Sequence, residues 1–332
     1  MKKAFVTGIT GQDGGYLAEL LVDRGYEVHA LRRRSSHDNL QRIAHLKDKV
    51  HLHYGDLTET GSFMALFQKH QFEEVYNLAA QSHVRVSFDI PEYTADVDGM
   101  GTLRILECIR TLGLMEHTRF YQASTSELYG KVNETPQNEE TPFYPRSPYG
   151  IAKQFSYWMV RNYREGYGLH GSNGILFNHE SPWRGDDFVT QKVVKGAIAV
   201  SKGEQDKLSL GNLDAQRDWG HAKDYVEAMY LMVQQPKGDD YVVASGKLNS
   251  VRHMVETCFN HVDMKIHWEG EGVDEKGYND KGKVVVDVNS NFFRPTEVEL
   301  LLGDATKART VLNWKPKYTF ETMIEEMMKN AC

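Results

Sequence analysis

Residues 3–14 read Lys-Ala-Phe-Val-Thr-Gly-Ile-Thr-Gly-Gln-Asp-Gly, a short apolar run followed by three glycines in the pattern Gly-x-x-Gly-x-x-Gly. A helical pattern from Tyr16 to Arg24 and a second apolar run, Glu27–Leu31, follow, so the segment predicts a βαβ unit. Glycines at such a strand-to-helix turn let the backbone approach a pyrophosphate, which the helix N-terminus then holds. The residues predicted to bind a dinucleotide here are Gly8, Ile9, Thr10, Gly11, Gln12, Asp13 and Gly14.

The end of the second strand indicates which dinucleotide binds. It carries Arg32-Arg33-Arg34-Ser35-Ser36 and has no acidic residue before Asp38. An acid at this point suits the ribose 2′-hydroxyl of NAD, whereas guanidinium groups suit the 2′-phosphate of NADP. The sequence therefore favours NADP, with Arg32 as a ligand. A solvated basic turn or a subunit contact is the alternative.

Strands continue to alternate with helices along the first half of the chain. Apolar runs at Val50–Tyr54, Glu74–Leu78, Arg119–Ala123 and Gly171–Phe177 are separated by helical stretches. This alternation predicts an α/β fold with a Rossmann-type, doubly wound parallel sheet. The pattern loosens after residue 180. We expect an NADP-binding domain at 1–180, with segments from about 215–250 returning to it, and a smaller α/β substrate-binding lobe at 181–332, including a helix near Thr296–Leu302.

Two further strand ends carry candidate cofactor ligands. Asp56 and Leu57 follow the third strand, where they could hold an adenine ring, although Asp56 could equally cap the next helix. Small residues after the fourth strand would let the cofactor pass across it. These candidates are Leu78, Ala79, Ala80, Gln81 and Ser82.

Tyr149 and Lys153 stand four residues apart in a helical stretch, so their side chains share one face. A neighbouring ammonium lowers the pKa of a phenol, which can then accept a proton from an alcohol. Thr125 and Glu127 follow the Arg119–Ala123 strand and are expected at the carboxyl edge of the sheet, where such folds bind ligands. Taken alone, the Tyr/Lys pair could also be an exposed helical pair.

Composition narrows the class of protein. The chain has 332 residues, a net charge of -7 and three cysteines without a C-x-x-C motif. The negative charge argues against binding to nucleic acid or anionic membranes, and the cysteine pattern predicts neither a disulfide framework nor a metal site. No stretch resembles a signal peptide or a membrane span. We expect a cytoplasmic protein.

Several stretches together resemble the extended short-chain dehydrogenase/reductase superfamily and, within it, the GDP-mannose 4,6-dehydratase family. The glycine and Tyr/Lys motifs are typical of the superfamily as a whole. The resemblance also rests on Asn-Leu-Ala-Ala-Gln-Ser-His-Val (77–84), Gln-Ala-Ser-Thr-Ser-Glu-Leu-Tyr-Gly (122–130), Pro-Arg-Ser-Pro-Tyr-Gly-Ile-Ala-Lys (145–153), Leu-Phe-Asn-His-Glu-Ser-Pro (176–182) and Phe-Arg-Pro-Thr-Glu-Val (293–298). Of these, Ser-Thr-Ser-Glu-Leu-Tyr-Gly (124–130) and Asn-His-Glu-Ser-Pro (178–182) are specific to the dehydratase family. The resemblance covers nearly the whole chain.

The resemblance implies an internal redox cycle on GDP-mannose. Tyr149, assisted by Lys153, would deprotonate the sugar 4-hydroxyl while a hydride passes from C4 to NADP⁺. Glu127 would then remove the C5 proton, the 6-hydroxyl would leave as water, and the hydride would return to C6. Thr125 would orient O4, although Ser124 could take that place. Ser126 stands where related dTDP-glucose dehydratases carry an acid, so Glu127 or a relayed water would protonate the leaving hydroxyl.

The resemblance also implies further ligands. Tyr93, His179 and Arg184 would contact the cofactor, and Trp183 stands where the family leads us to expect an arginine. The loop Arg33–Arg42 would meet a neighbouring subunit, which implies a homodimer or homotetramer. Candidates for binding GDP-mannose are Ser82, Asn178, Lys192, Arg217, Arg294 and Glu297.

Other functions remain open at this point. A nucleotide-sugar epimerase or 4-keto reductase on the same scaffold would not need Glu127 as a base. A dehydratase could also reduce its own product with NADPH to GDP-rhamnose. A protein that only senses NADP would typically lack part of the Tyr/Lys/Thr set, which is complete here.

Overall fold

The computed structural model describes residues 1–36, 39–293, 298 and 300–331. Its larger sheet is formed by strands from both halves of the chain, and two smaller sheets lie in the second half. The strands are β1 Lys3–Thr7, β2 Glu27–Arg32, β3 Val50–Tyr54, β4 Glu74–Asn77, β5 Arg119–Thr125, β6 His170–Leu176, β7 Asn178–Glu180, β8 Leu208–Leu210, β9 Gln216–His221, β10 Asp240–Val243, β11 Leu248–Ser250, β12 His267–Glu269, β13 Lys276–Tyr278, β14 Val284–Val288 and β15 Leu300–Leu301.

Helices connect these strands. A π-helical turn, Ala95–Met100, joins two of them, and a short 3₁₀ turn, Ser126–Leu128, follows β5. The α-helices are α1 Gln12–Asp23, α2 Gly61–His70, α3 Val84–Ser87, α4 Pro91–Thr94, α5 Gly101–Thr111, α6 Pro148–Tyr167, α7 Val189–Lys202, α8 Ala222–Gln234, α9 Val251–Asn260, α10 Thr306–Val311 and α11 Phe320–Ala331. Across the described ranges, every helix is too short or too polar to span a membrane.

The larger sheet has the strand order β10-β6-β5-β4-β1-β2-β3, and each neighbouring pair is parallel. The chain winds outward from β1 in one direction and then from β4 in the other, so the order reverses between β1 and β4. Ligands of such sheets bind at the carboxyl ends of the strands beside this reversal. The predicted doubly wound, Rossmann-type sheet is therefore confirmed.

Both faces of this sheet are covered, as the near-continuous burial of its strands requires. On one face Phe5 of β1 packs against Phe67 and Phe72, with ring centroids 5.3 and 4.9 Å apart. On the other face α1 and α8 lie side by side over a cluster that contains Val6, Leu17 and Met229. The helix α8 comes from the second half of the chain.

A separate apolar cluster lies in the second half, where α7, α9 and α11 pack together over β8 and β14. In contrast, β10 joins the larger sheet beside β6. These contacts support our proposal of a cofactor domain at 1–180, joined by part of 215–250, and a smaller lobe at 181–332. The prediction of a helix near Thr296–Leu302 is wrong at Leu300–Leu301, because these two residues form the strand β15, which pairs with β9. Most of the other residues of that predicted helix lie outside the described residues.

Candidate active site

A cleft of about 680 Å³ opens at the carboxyl ends of β1, β4, β5 and β6. One wall is the glycine-rich turn with the N-terminus of α1, and another is the segment after β5 with the first turns of α6. The opposite side is formed by the residues after β6, by α7 and by the start of β9. All four predicted catalytic residues, Thr125, Glu127, Tyr149 and Lys153, line it.

Two positions of the first turn, Gly8 and Gly14, require glycine, each for a different steric reason. Gly8 has a φ of +74°, and a Cβ there would lie 2.8 Å from the backbone nitrogen of Ala79. A Cβ on Gly14 would lie 2.2 Å from the carbonyl oxygen of Gly8, so only glycine lets α1 begin this close to β1. The backbone of the turn and the N-terminus of α1 therefore face the cleft directly, as anion binding requires.

Helix α6 carries the Tyr/Lys pair. Ser147 caps it by accepting a hydrogen bond from the Gly150 amide at 3.0 Å, and Pro148 occupies its first position. Tyr149 and Lys153 are both buried, and the ammonium lies 5.8 Å from the centroid of the phenol ring. Lys153 Nζ also donates to the Ala123 carbonyl at 3.0 Å, which anchors the ammonium to β5.

Strand β5 delivers the two other catalytic candidates. Thr125 is its last residue, and its hydroxyl accepts a hydrogen bond from the Glu127 amide at 3.2 Å, which starts the 3₁₀ turn. Thr125 also hydrogen-bonds Tyr149. Ser124, the alternative hydroxyl, instead donates to Asn173 Oδ1 at 3.2 Å. The geometry thus favours Thr125 as the hydroxyl partner of Tyr149.

The predicted lowering of the Tyr149 pKa by Lys153 is wrong for this structure. Burial, followed by the negative charges of Asp98 and Glu127, raises the pKa of Tyr149, and the hydrogen bond from Thr125 and the charge of Arg184 oppose this only in part. Burial also lowers the pKa of Lys153, and Asp98 opposes that change. The phenol is therefore neutral in the resting site.

Asp98 is a site residue that the sequence did not indicate. It lies on the π-helical turn and is 1% exposed, and its Oδ1 accepts a hydrogen bond from the Gln81 amide at 2.7 Å. Its Oδ2 is buried without a hydrogen-bond partner among the described residues. Burial raises the pKa of Asp98 to about 6, and the charge of Lys153 opposes this rise. When ionised, Asp98 places a negative charge near Tyr149 and Lys153, and this charge raises the pKa of both groups.

His179 links the two sides of the cleft. Its Nδ1–H donates to the Phe177 carbonyl at 2.8 Å, so Nε2, 2.7 Å from Asp13 Oδ2, must carry a proton to bind that carboxylate. Burial opposes the charge on the ring, yet the Asp13 carboxylate raises the pKa of His179 above its ordinary value. Burial likewise acts against ionised Asp13, but His179 lowers its pKa. The pair fixes the N-terminus of α1 against β7.

Cationic and polar candidates for the substrate line the other side of the cleft. Ser82, Asn178, Lys192 and Arg217 are all in its wall, as is Arg184. Arg184 pairs with the buried Glu180 at 3.0 Å, and the Lys192 ammonium lies 3.4 Å from the centroid of the Phe292 ring. Arg294 and Glu297 lie outside the described residues.

The predicted cofactor ligands fall into two groups. Those in the cleft wall are Gly8, Gly11, Gln12, Asp13, Gly14, Leu78, Ala80, Ser82, Lys153, His179 and Arg184. The cleft wall does not include Ile9, Thr10, Arg32, Asp56, Leu57, Ala79, Gln81 or Tyr93.

Three residues of the second group make contacts within the protein. Asp56 Oδ1 accepts hydrogen bonds from the Thr58 amide and hydroxyl at 3.0 and 2.9 Å. The suggestion that Asp56 caps the next helix is wrong, because α2 begins at Gly61 with Thr60 at its N-cap. The Arg32 guanidinium lies 5.3 Å from the centroid of the Tyr54 ring. The Tyr93 hydroxyl accepts from Arg33 at 2.6 Å.

Trp183 does not take the place of the expected arginine in the cleft. Its ring stacks on Tyr16 with centroids 4.1 Å apart and planes at 11°, and its carbonyl accepts a hydrogen bond from Arg42 Nε at 2.8 Å. Arg42 also donates to the Thr10 carbonyl at 3.1 Å. Arg42, expected only at the end of a subunit-contact loop, thereby joins the segment after β7 to the glycine-rich turn.

Comparison with known proteins agrees with this geometry. A family model described as GDP-mannose 4,6 dehydratase matches residues 5–327. A GDP-mannose 4,6-dehydratase of Sinorhizobium fredii is 57% identical across 99% of this chain and 96% of its own, and one of Homo sapiens is 54% identical across 98% and 90%. The solved dTDP-glucose 4,6-dehydratase of Bacillus anthracis, in complex with NAD, has a TM-score of 0.82 at 20% identity, with 99% of this chain and 96% of that chain covered. The chain belongs to the GDP-mannose 4,6-dehydratase family.

Proposed function

We propose that this protein converts GDP-mannose to GDP-4-keto-6-deoxymannose and water, as an NADP-dependent hydro-lyase. One observation carries the proposal. A carboxylate, Glu127, lies in the same cleft wall as Tyr149, Lys153 and Thr125. A simple oxidoreductase or a C4 epimerase needs the last three residues but has no use for a base at C5.

The residues of the first turn fit a dinucleotide. The absent side chains at Gly8 and Gly14 leave backbone amides exposed at a helix N-terminus, where a pyrophosphate is favoured. NADP rather than NAD is supported by the run Arg32-Arg33-Arg34 at the end of β2. NADP⁺, when bound, supplies a positively charged group that accepts a hydride from C4 and returns it to C6.

The chain itself moves the protons. Tyr149 must first lose its own proton, which the positive charges of Lys153 and of a bound nicotinamide would favour. The phenolate, oriented by its hydrogen bond with Thr125, then accepts the proton of the sugar 4-hydroxyl as C4 becomes a ketone. Because that ketone acidifies the C5 proton, Glu127 can remove it as a general base. The C6–O bond then breaks, and Glu127 in its protonated form, or a water in contact with it, gives the proton that completes the leaving water. Finally Glu127, reprotonated from solvent, returns a proton to C5.

The charges of the cleft fit a nucleoside diphosphate. Arg217 and Lys192 both face the cleft from the side opposite the glycine-rich turn. Burial lowers the pKa of Lys192, and a negatively charged diphosphate placed beside it would oppose that change. We assign these two cations, with Asn178, to the substrate.

The first experiment is to incubate the purified protein with GDP-mannose in D₂O and weigh the product, with and without NADPH. A product that has lost one water supports the dehydratase, and one deuterium at C5 shows that Glu127 gave the original C5 proton to the leaving water and took its replacement from solvent. An unchanged mass would refute it and favour an epimerase. Further addition of two hydrogens only with NADPH would reveal reduction of the 4-keto product.

Glu127→Gln tests the assignment of the base. The variant should lose at least a hundredfold in rate of water loss, since a positioned general base contributes about 10²–10⁴-fold. Glu134→Gln, a change of the same chemistry at an exposed position, should have no effect. Equal rates for both variants would remove Glu127 from the mechanism.

We also propose that the protein acts as a homodimer or homotetramer. An exposed apolar stripe on α6 supports this, with Ile151, Phe155 and Trp158 exposed by 59, 40 and 48%. Light scattering should give a mass of at least two chains, and Trp158→Lys should shift the equilibrium toward monomers. The buried thiols of Cys108 and Cys258 suit the reducing cytoplasm in which we propose that it works.

A further inference from the structure

Four histidines gather at the outer edge of the larger sheet, and none of them lines the cleft. His29 of β2 is in register with His51 of β3, and His53 lies two residues further along the same face of β3. His70, the last residue of α2, covers that face, with its ring centroid 4.3 Å from that of His29 and 5.6 Å from that of His53. Three elements thus bring imidazoles to one point.

The distances within this cluster suit a metal ion. His29 Nδ1 and His53 Nε2 are 2.9 Å apart, and one ring nitrogen from each of His29, His53 and His70 falls within 4.8 Å of the others. Nitrogen ligands at about 2.0–2.1 Å from a tetrahedral zinc ion lie ~3.3 Å from one another. The His29–His53 pair would therefore open by only ~0.4 Å to admit the ion.

The orientation of His29 is set by a carboxylate. Glu27 Oε1 lies 2.8 Å from His29 Nε2 and, as an anion, can only accept a hydrogen bond from it. His29 Nδ1 consequently presents a lone pair toward His53 and His70. A carboxylate behind a histidine is the usual support for a metal-binding imidazole, because it fixes the tautomer and raises the basicity of the ligand.

His70 supplies an independent observation. Its Nε2 atom is buried and has no hydrogen-bond partner among the residues that the structure describes. Buried polar atoms are nearly always paired, and an exception needs a reason such as an ion. An ion that His70 binds through Nε2 would give this nitrogen its partner.

We propose that His29, His53 and His70 bind one Zn²⁺ ion, with Glu27 as the support of His29 and a water in the fourth position. Imidazole ligands in this number select zinc or a similar transition metal over Mg²⁺ or Ca²⁺, which prefer oxygen. The exposed His51 lies at the solvent side, near Glu27 and His29, where the ion would enter. The ion ties the edge strand β3 to β2 and to the end of α2, and it stabilises the fold without taking part in catalysis.

The three proposed ligands, His29, His53 and His70, are far apart in sequence, so they do not form a short metal-binding motif. The sequence accordingly predicted no metal. Only the pairing of β2 with β3 and the position of the α2 C-terminus bring the ligands together.

The test uses full-length protein without a histidine tag, stripped of metal by a chelator and dialysed to equilibrium against ZnCl₂. We expect one zinc per chain by mass spectrometry of the metal, and a thermal unfolding midpoint that rises with Zn²⁺ but not with Mg²⁺. His53→Asn and His70→Asn should each weaken binding at least tenfold and abolish the rise. His261→Asn, at an exposed histidine elsewhere, should leave both unchanged.

Two further measurements keep the result interpretable. Activity of the His53 and His70 variants on GDP-mannose should match that of the unaltered protein, which shows that they are folded. Binding of Co²⁺ should give the visible absorption of a four-coordinate ion, and this absorption should be lost in both variants. Absence of saturable binding near one zinc per chain, or equal binding by the unaltered protein and both variants, would overturn the proposal.

Discussion

Replacing Asp98 by asparagine should make the protein more stable and less active. The carboxyl is 1% exposed, and burial raises its pKa to about 6 from an ordinary value of 3.8. At neutral pH the carboxyl of Asp98 is therefore ionised in the folded protein, and this lowers the free energy of unfolding. Asparagine keeps the acceptor for the Gln81 amide and removes the charge. Lys153, whose pKa Asp98 raises, loses that support in the variant, and its ammonium becomes harder to maintain.

The magnitude follows from the two pKa values. A folded pKa above the unfolded one destabilises the folded state at high pH, and the cost fades as the pH falls through the window from about 6 to 3.8. Asp98→Asn should thus gain about 3 kcal/mol in free energy of unfolding at pH 8 and roughly half of that at pH 5, at ~1.4 kcal/mol per pKa unit.

Urea unfolding at pH 8 and pH 5, with an activity assay at pH 8, measures both effects. Asp48→Asn, at an exposed aspartate, provides the control and should change neither. The reasoning is refuted if Asp98→Asn is no more stable than the unaltered protein at pH 8, or if its advantage is the same at pH 5. Full activity of the variant would show that the charge of Lys153 does not depend on Asp98.

Three other predictions concern the cleft. Gly14→Ala should destabilise the protein by about 1–3 kcal/mol or more and weaken NADP⁺ binding in a fluorescence titration, because the new methyl group would lie 2.2 Å from a backbone oxygen. Thr125→Ala should lower kcat about tenfold or more, whereas Ser124→Ala should cost only about 1 kcal/mol in urea unfolding, with kcat nearly kept; the reverse order would restore Ser124 as the hydroxyl partner. The pKa of His179 is raised above 6.5, so its attraction to Asp13 is complete below that pH and is lost as the pH rises through the raised value. His179→Gln should therefore lose more stability at pH 6 than at pH 9, and an equal loss at both would contradict the ion pair.

Sequence patterns predicted the two parts of the site whose conformation depends on residues close together in the chain. The glycine-rich turn is set by steric contacts within a few residues, and the Tyr149–Lys153 pair by the helical repeat. The predicted lowering of the Tyr149 pKa was wrong because burial and the charge of Asp98, which the sequence does not reveal, raise it. Asp98 was missed because an acid in a helical stretch resembles a solvated one. Its spacing from Thr102 and Ile105, which places it on the apolar face, was the available signal.

The second half of the chain was less predictable for a physical reason. After β6 its strands are two to six residues long, and most of them pair with partners distant in sequence. Leu300–Leu301, predicted as helix, pairs with β9, so its conformation depends on a strand more than 80 residues away. Short runs of apolar residues do not distinguish the two conformations without that partner.

The position of β10 also constrains how the chain can be made and divided. Until residue 243 has left the ribosome, β6 remains an open edge of the larger sheet, with main-chain groups that can pair with another copy. The Asp240 carboxylate that receives Arg164 at 2.8 Å, Tyr157 at 3.0 Å and Asn173 at 2.9 Å is missing as well. A recombinant fragment that stops near residue 180 should therefore aggregate, and the nascent chain needs protection until about three quarters of it has been synthesised.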